Sequence, residues 1–123
     1  MTVLITGGSG LLGTEVCKIL TNMSIPYLAP SSSEMDILNK KSLEDNISKP
    51  DVRLVLHAAA LTSPPVCSKE PQKAIDTNVV GSANVLEMCR KHNKRLVYIS
   101  TDYVFDGEHG SYSTKDPINP INL

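Results

Sequence analysis

Near the head of the chain stands Thr2-Val3-Leu4-Ile5-Thr6-Gly7-Gly8-Ser9-Gly10-Leu11-Leu12-Gly13. Residues 2–6 are a short β-branched run without polar alternation, the pattern of a central strand buried on both faces. From Leu11 the period changes. Leu12, Val16, Ile19, Leu20 and Met23 recur at three- and four-residue spacing and predict one apolar helix face. Glycines at 7, 10 and 13 fill the junction. Glycine permits a tight turn and removes side chains that would hold a pyrophosphate off the backbone. The free N–H groups and positive dipole end of the helix then face the anion. A strand, this loop and a helix, in that order, are the context a dinucleotide site requires. Gly7, Gly10, Leu11, Leu12 and Gly13 are the first candidate cofactor-binding residues.

The alternation continues downstream. A second strand is predicted over 26–29, then a Ser31-Ser32-Ser33 turn and an extended piece at Met35-Asp36-Ile37. A short charged helix spans 40–48, with Leu43 and Ile47 on one side, and Pro50 breaks it. Val52–Leu56 is a third apolar strand. Pro64, Pro65 and Pro71 mark a loop. The longest helix runs over 72–91 and is predicted to bury Ile75, Val79, Leu86 and Cys89, with Gly81 at a close approach. Leu96–Ile99 is the last strand, and 100–123 has no periodic pattern. Strands alternating with helices imply a parallel sheet with right-handed crossovers. The expectation is one α/β domain over residues 1–123, a Rossmann-like doubly wound parallel sheet.

Composition excludes several classes. The 123 residues carry a net charge of -1, with 12 Lys plus Arg against 13 Asp plus Glu, and no Trp. Neither nucleic acid nor an anionic membrane has an electrostatic reason to bind. No run approaches the roughly 20 apolar residues of a membrane span. Cys17, Cys67 and Cys89 have no C-x-x-C spacing, which fits reduced thiols in a cytoplasmic protein rather than a disulfide framework or a zinc site. His92 and His109 have no partners suggesting a metal, so no metal site is expected.

Two further strings bear on chemistry. Pro30-Ser31-Ser32-Ser33 stands at the end of the second strand, where an acidic residue would hold the adenosine ribose hydroxyls. Without that carboxylate a 2′-phosphate is admissible, though no Arg lies nearby to bind it, and the balance leans to NADP(H) over NAD(H). The third strand ends in Ala58-Ala59-Ala60, small enough for a flat cofactor to lie against the sheet and equally suited to tight helix packing. His57, beside them, reads as a hydrogen-bonded core histidine rather than an acid–base catalyst. Ser100-Thr101-Asp102-Tyr103-Val104-Phe105-Asp106-Gly107 follows the last strand, at the edge where open α/β sheets bind ligands. A hydroxyl there can polarise a substrate carbonyl, although Ser-Thr-Asp also serves as an ordinary turn or cap.

Taken together, the glycine loop, Ala58-Ala59-Ala60 and the Ser100–Gly107 string resemble extended short-chain dehydrogenases/reductases. Within them the match is to the dTDP-4-dehydrorhamnose reductase branch. The Ser100–Gly107 string is specific to it, whereas the glycine motif is shared widely. The resemblance covers the whole chain, including Asp76-Thr77-Asn78-Val79-Val80-Gly81. It implies NAD(P)H binding and reduction of the 4-keto group of a nucleotide-linked deoxysugar. Thr101 matches the catalytic hydroxyl residue, and Asp102 a substrate-contacting position. Ser31 lies at the ribose end. Asp36 and Ile37 look like the adenine-contacting pair, and Ala60-Leu61-Thr62 like part of the cofactor wall.

One departure matters. The family's chemistry implies a Tyr-x-x-x-Lys pair, the tyrosine donating the proton and the lysine lowering its pKa. Tyr112 is followed at that spacing by Asp116, Tyr98 by Asp102 and Tyr103 by Gly107. Pro117-Ile118-Asn119-Pro120-Ile121-Asn122-Leu123 resembles the segment that leads into that tyrosine. These residues are expected to form a cofactor-binding part, truncated before the C-terminal substrate domain and nearly inactive alone, with an exposed edge open to self-association. Two alternatives share the resemblance. One is a non-catalytic NAD(P)-binding module like the methionine adenosyltransferase β subunit, whose own motif departs from Ser-Thr-Asp. The other is a sugar-nucleotide epimerase or dehydratase, which the Tyr103–Gly107 continuation fits less well.

Overall fold

The computed structural model describes residues 1–121. Four parallel strands, β1 (Thr2–Thr6), β2 (Tyr27–Leu28), β3 (Val52–His57) and β4 (Arg95–Tyr98), form one sheet in the order β2-β1-β3-β4. All five residues of β1 are buried, as its unbroken apolar run requires. Thr6 pairs with His57 and His57 with Tyr98, so the carboxyl ends of β1, β3 and β4 finish level. The Rossmann-like α/β architecture read from the sequence is the one observed.

The crossovers are α1 (Leu11–Asn22), α2 (Lys40–Ile47), and the run α3 (Pro64–Lys69), α4 (Pro71–Ile75) and α5 (Ser82–Lys91). The chain steps from β1 out to β2, then returns across β1 to β3. Right-handed connections therefore put α1 on one face and the other helices on the opposite face. The main core lies under the second group, where Leu4 and Val55 of the sheet meet Leu43, Ile47, Val85 and Met88. Asn39 caps α2, its side chain accepting from Lys41 N and Ser42 N at 3.0 and 3.1 Å. Leu43 and Ile47 are then fully buried, as their spacing predicts.

Several expectations need correction. The second strand is only two residues long, and Met35-Asp36-Ile37 is not extended. Local hydrogen bonds take over there, Glu34 N donating to Ser31 O and Asp36 Oδ1 accepting from Leu38 N. The proline-marked loop contains helix, because a proline in the first helical turn has no N–H to leave unpaired.

The long helical run from Pro71 to Lys91 is broken by a π-helical turn at Asp76–Gly81. Of its predicted core residues only Cys89 is buried; Ile75, Val79 and Leu86 are exposed. The buried stripe is Ala74, Gly81, Val85 and Met88. Small residues win because the helix comes close: a Cβ on Gly81 would sit 2.5 Å from Ile37 Cδ1.

Finally, α1 buries only Gly13, while Leu12, Ile19 and Met23 stay exposed. A single helix does not cover its face of a four-stranded sheet, and Val97 on that face is 43% exposed.

Candidate functional site

The chain reverses direction across the sheet at β1, with β2 on one side and β3 on the other. Ligands of open α/β sheets bind beyond the carboxyl ends of the strands at such a switch point. A cleft of about 370 Å³ opens there, in the size range of small-molecule sites. Its floor is the Gly7–Gly10 loop, one wall is Ala58–Ala60, and Pro30–Ser32 with Met35–Leu38 form the other. Thr77 reaches in from the π turn.

The loop geometry accounts for its glycines. Gly7 has φ +72°, and a Cβ there would lie 2.7 Å from Ala59 N. At Gly13 a Cβ would lie 2.2 Å from Gly7 O, so only glycine lets α1 start against the loop. Gly10 is the N-cap of α1, and no side chain caps that helix. The first-turn N–H groups keep their bonding capacity, and the positive end of the dipole is uncompensated. Contrast α2, whose N-terminus is closed by Asn39. An open helix end at a glycine floor fits the pyrophosphate of a dinucleotide.

The wall is braced from below. Thr6 Oγ1 accepts from Ala59 N at 3.2 Å and meets His57 Nδ1 at 2.6 Å, while His57 Nε2 lies 2.9 Å from Ser82 Oγ. His57 is buried, and burial pushes its pKa down, so the ring is neutral at pH 7. It is the hydrogen-bonded core histidine that its position predicts. Beyond the wall, Asn78 holds Leu61 by both backbone groups, at 2.7 and 3.0 Å. The π turn thus carries a clamp on the chain that leaves β3, in keeping with the use of such turns at functional positions.

The structure gathers Gly7, Gly10, Ser31, Asp36, Ile37, Ala58, Ala59 and Ala60 around one cleft. Leu11, Leu12, Gly13, Leu61, Thr62, Thr101 and Asp102 do not line it. The Leu11 side chain is 93% exposed and stands outside the cleft lining. Gly13 acts by packing. Thr101 and Asp102 follow β4 at the same sheet edge, exposed; Thr101 Oγ1 accepts from Tyr103 N at 3.2 Å, capping a 3-10 turn at Asp102–Val104. Asp106 then ties the next segment together. It accepts from the Tyr112 hydroxyl, from Asn119 Nδ2 at 3.0 Å and from Glu108 N at 3.1 Å. These bonds, Tyr112's first, hold its carboxyl down at about 2. Asn122 and Leu123 of the lead-in segment lie outside the described residues.

Sequence reading missed one group. The Glu34 carboxylate returns to the end of β2, accepting from Ser31 N at 2.8 Å and Ser31 Oγ at 2.7 Å. A carboxylate therefore does stand behind Ser31, at the Pro30–Ser32 wall of the cleft, without itself lining it. Its signal was Ser31-x-x-Glu34, the spacing at which an acidic side chain reaches back to a backbone N–H.

The RmlD substrate binding domain family matches residues 1–123, the full chain. The chain belongs to that family. Its RmlD-type relatives include dTDP-4-dehydrorhamnose reductase of Aggregatibacter actinomycetemcomitans, 37% identical over 121 residues, covering 97% of this chain and 41% of the relative. Methionine adenosyltransferase 2 subunit beta of Rattus norvegicus is 31% identical over 128 residues, covering 98% and 38%. A crystal structure of dTDP-4-dehydrorhamnose reductase from Bacillus anthracis, in complex with NADP, superposes with a TM-score of 0.91 at 30% identity. That likeness covers 98% of this chain and 43% of the other. The chain thus spans about two fifths of the length of the relatives it matches. Among the described residues, no helix is long and apolar enough to cross a membrane, and no cluster of His, Cys, Asp and Glu stands ready for a metal.

Proposed function

We propose that residues 1–123 form the nicotinamide dinucleotide-binding part of a reductase acting on the 4-keto group of a nucleotide-linked deoxysugar. The observation that carries this is the uncapped α1 N-terminus over a glycine floor, facing the Ala58–Ala60 wall at the sheet's switch point. The cofactor's nicotinamide supplies the hydride chemistry. This chain's residues bind and orient: the α1 N–H groups take the pyrophosphate, Ser31 and Asp36–Ile37 border the adenosine end, and the alanines leave room for the flat rings. Thr101 and Asp102, level with the cleft at the sheet edge, are the groups we assign to the substrate. The relative solved with NADP and the curated reductase of the same family support this reading.

A second reading, a dinucleotide-binding module without catalysis, draws on the methionine adenosyltransferase 2 β relative. Thr101-Asp102 favours the reductase. The coding sequence that follows Leu123 separates the two: a Tyr with a Lys four residues on supports the enzyme, and their absence supports the module. The exposed apolar positions on the α1 face also support self-association of this chain. A concentration-independent monomer in sedimentation velocity would count against it.

Titration of the chain with NADH and NADPH tests the proposal directly. Saturable binding by either supports it. A folded chain that binds neither up to millimolar nucleotide refutes it.

A further inference from the structure

Glu34 changes what the adenosine end of the cleft accepts. Ser31 lines the cleft, and both of its donors, the backbone N–H and the hydroxyl, point at Glu34 Oε2. The Ser33 hydroxyl lies 2.9 Å from Ser31 Oγ and closes the same turn. Both Ser31 donors are thus held by an anion of the chain's own, which a 2′-phosphate entering beside Ser31 would have to displace; Ser32 also lines the cleft, and Glu34 stands behind that wall rather than in its lining. No Lys or Arg lines the cleft among the described residues, while Asp36 adds a second carboxylate. Lys40 and Lys41, the basic residues next in sequence, are engaged with Glu87 and Asp45.

We infer that Glu34 is a specificity-determining residue that favours NAD(H) over NADP(H). This rests on the proposed nucleotide site and names the cofactor it selects. A 2′-phosphate would have to displace the carboxylate from Ser31 and then remain beside it with no cation to offset the repulsion. An unphosphorylated ribose makes no such demand, and a carboxylate at the end of the second strand is what accepts ribose hydroxyls in dinucleotide folds. The bonds from Ser31, its N–H first, hold the Glu34 carboxyl below the usual carboxylate range, so the charge is present throughout neutral pH. The sequence-based lean to NADP(H) rested on there being no carboxylate within Pro30–Ser33; Glu34, the next residue, is the ground for inferring the opposite preference.

The two added charges of a 2′-phosphate, at a separation of roughly 5–6 Å in a water-like dielectric, weaken binding by about tenfold. The test is calorimetric titration of wild type, Glu34→Gln and Glu34→Lys with NADH and with NADPH at low salt. Wild type is expected to bind NADH more tightly. Glu34→Gln, which keeps an acceptor for Ser31 N–H, is expected to lower the ratio of NADPH to NADH dissociation constants by about tenfold, and Glu34→Lys to invert the preference. Tighter NADPH binding by wild type, or a ratio within twofold of wild type in Glu34→Gln, overturns the assignment. Failure of wild type to bind either nucleotide overturns the site itself, and the assignment with it.

Discussion

Replacing Gly13 by alanine adds one methyl group at the tightest point of the structure. That carbon would stand 2.2 Å from Gly7 O, 2.7 Å from Gly8 Cα and 2.9 Å from Gly7 C, all backbone atoms. No side chain can rotate away, so either the loop or the start of α1 must move by roughly 1 Å to restore a normal carbon–oxygen contact. Overpacking of this kind costs about 1–3 kcal/mol, against up to about 1 kcal/mol gained from alanine's helix propensity. The expected net loss is about 1–2 kcal/mol, a fall of roughly 4–8 °C in melting midpoint. The same movement withdraws the α1 N–H groups from the cleft, so nucleotide affinity falls by at least about tenfold, the scale of one lost charge-assisted hydrogen bond. Leu11→Ala, two residues away, removes a side chain that touches solvent, and belongs within about 0.5 kcal/mol of wild type. Differential scanning calorimetry and NADH titration on the three proteins read both quantities. A Gly13→Ala chain with unchanged melting and affinity would refute the packing argument.

Two other features give independent tests. His57 is buried neutral, with its pKa depressed by desolvation. Its contribution to stability is full above the unfolded value near 6.5 and is lost as pH falls through the depressed folded value. Wild type should therefore lose melting temperature between pH 7 and pH 5, and His57→Gln should flatten that dependence; identical slopes would remove His57 as the cause. At the other end of the chain, Asp106 raises the Tyr112 phenol pKa through their hydrogen bond. In Asp106→Asn the Tyr112 titration, followed by NMR of labelled tyrosine, should move down toward the ordinary value near 10. No movement would mean the bond does not organise residues 106–119.

The parts of the fold legible in the sequence are those set by local pattern. β1, the glycine loop and α1 follow from a buried β-branched run, the demands of backbone approach and a change of period. The cleft's floor and alanine wall came with them. What stayed hidden depends on tertiary contact. Pro71–Lys91 carries two stripes at helical spacing, and the one with larger aliphatic residues, Ile75-Val79-Leu86, is the exposed one. The buried stripe needs a glycine at 81 because Ile37, a neighbour distant in sequence, lies against it. The π turn at Asp76–Gly81 leaves no periodic trace, since its Asn78 clamp engages Leu61 across a loop. Thr101 and Asp102 follow β4 at the sheet edge, yet outside the cleft, where Thr101 caps a turn that Asp102 begins. Glu34 lies six residues beyond Leu28, the last residue of β2, and reaches back to Ser31 only through the turn at 31–34, a contact that the strand pattern does not foretell.

The central claim, that the α1 N-terminus holds an anionic nucleotide, is tested most directly by Gly10→Asp. Gly10 already has the extended backbone of an N-cap, φ -74° and ψ 174°, and its added Cβ meets only Gly7 O, at 3.3 Å. Aspartate is among the preferred N-cap residues, so it should satisfy the open N–H groups and leave the fold intact while placing a negative charge where the pyrophosphate would bind. The measurement pairs a melting curve with a NADH and NADPH titration. The account predicts a melting midpoint at or above that of wild type with nucleotide affinity reduced by about a hundredfold or more, the combined scale of lost N–H bonds and added repulsion. A stable Gly10→Asp chain that binds either nucleotide as wild type does would contradict it.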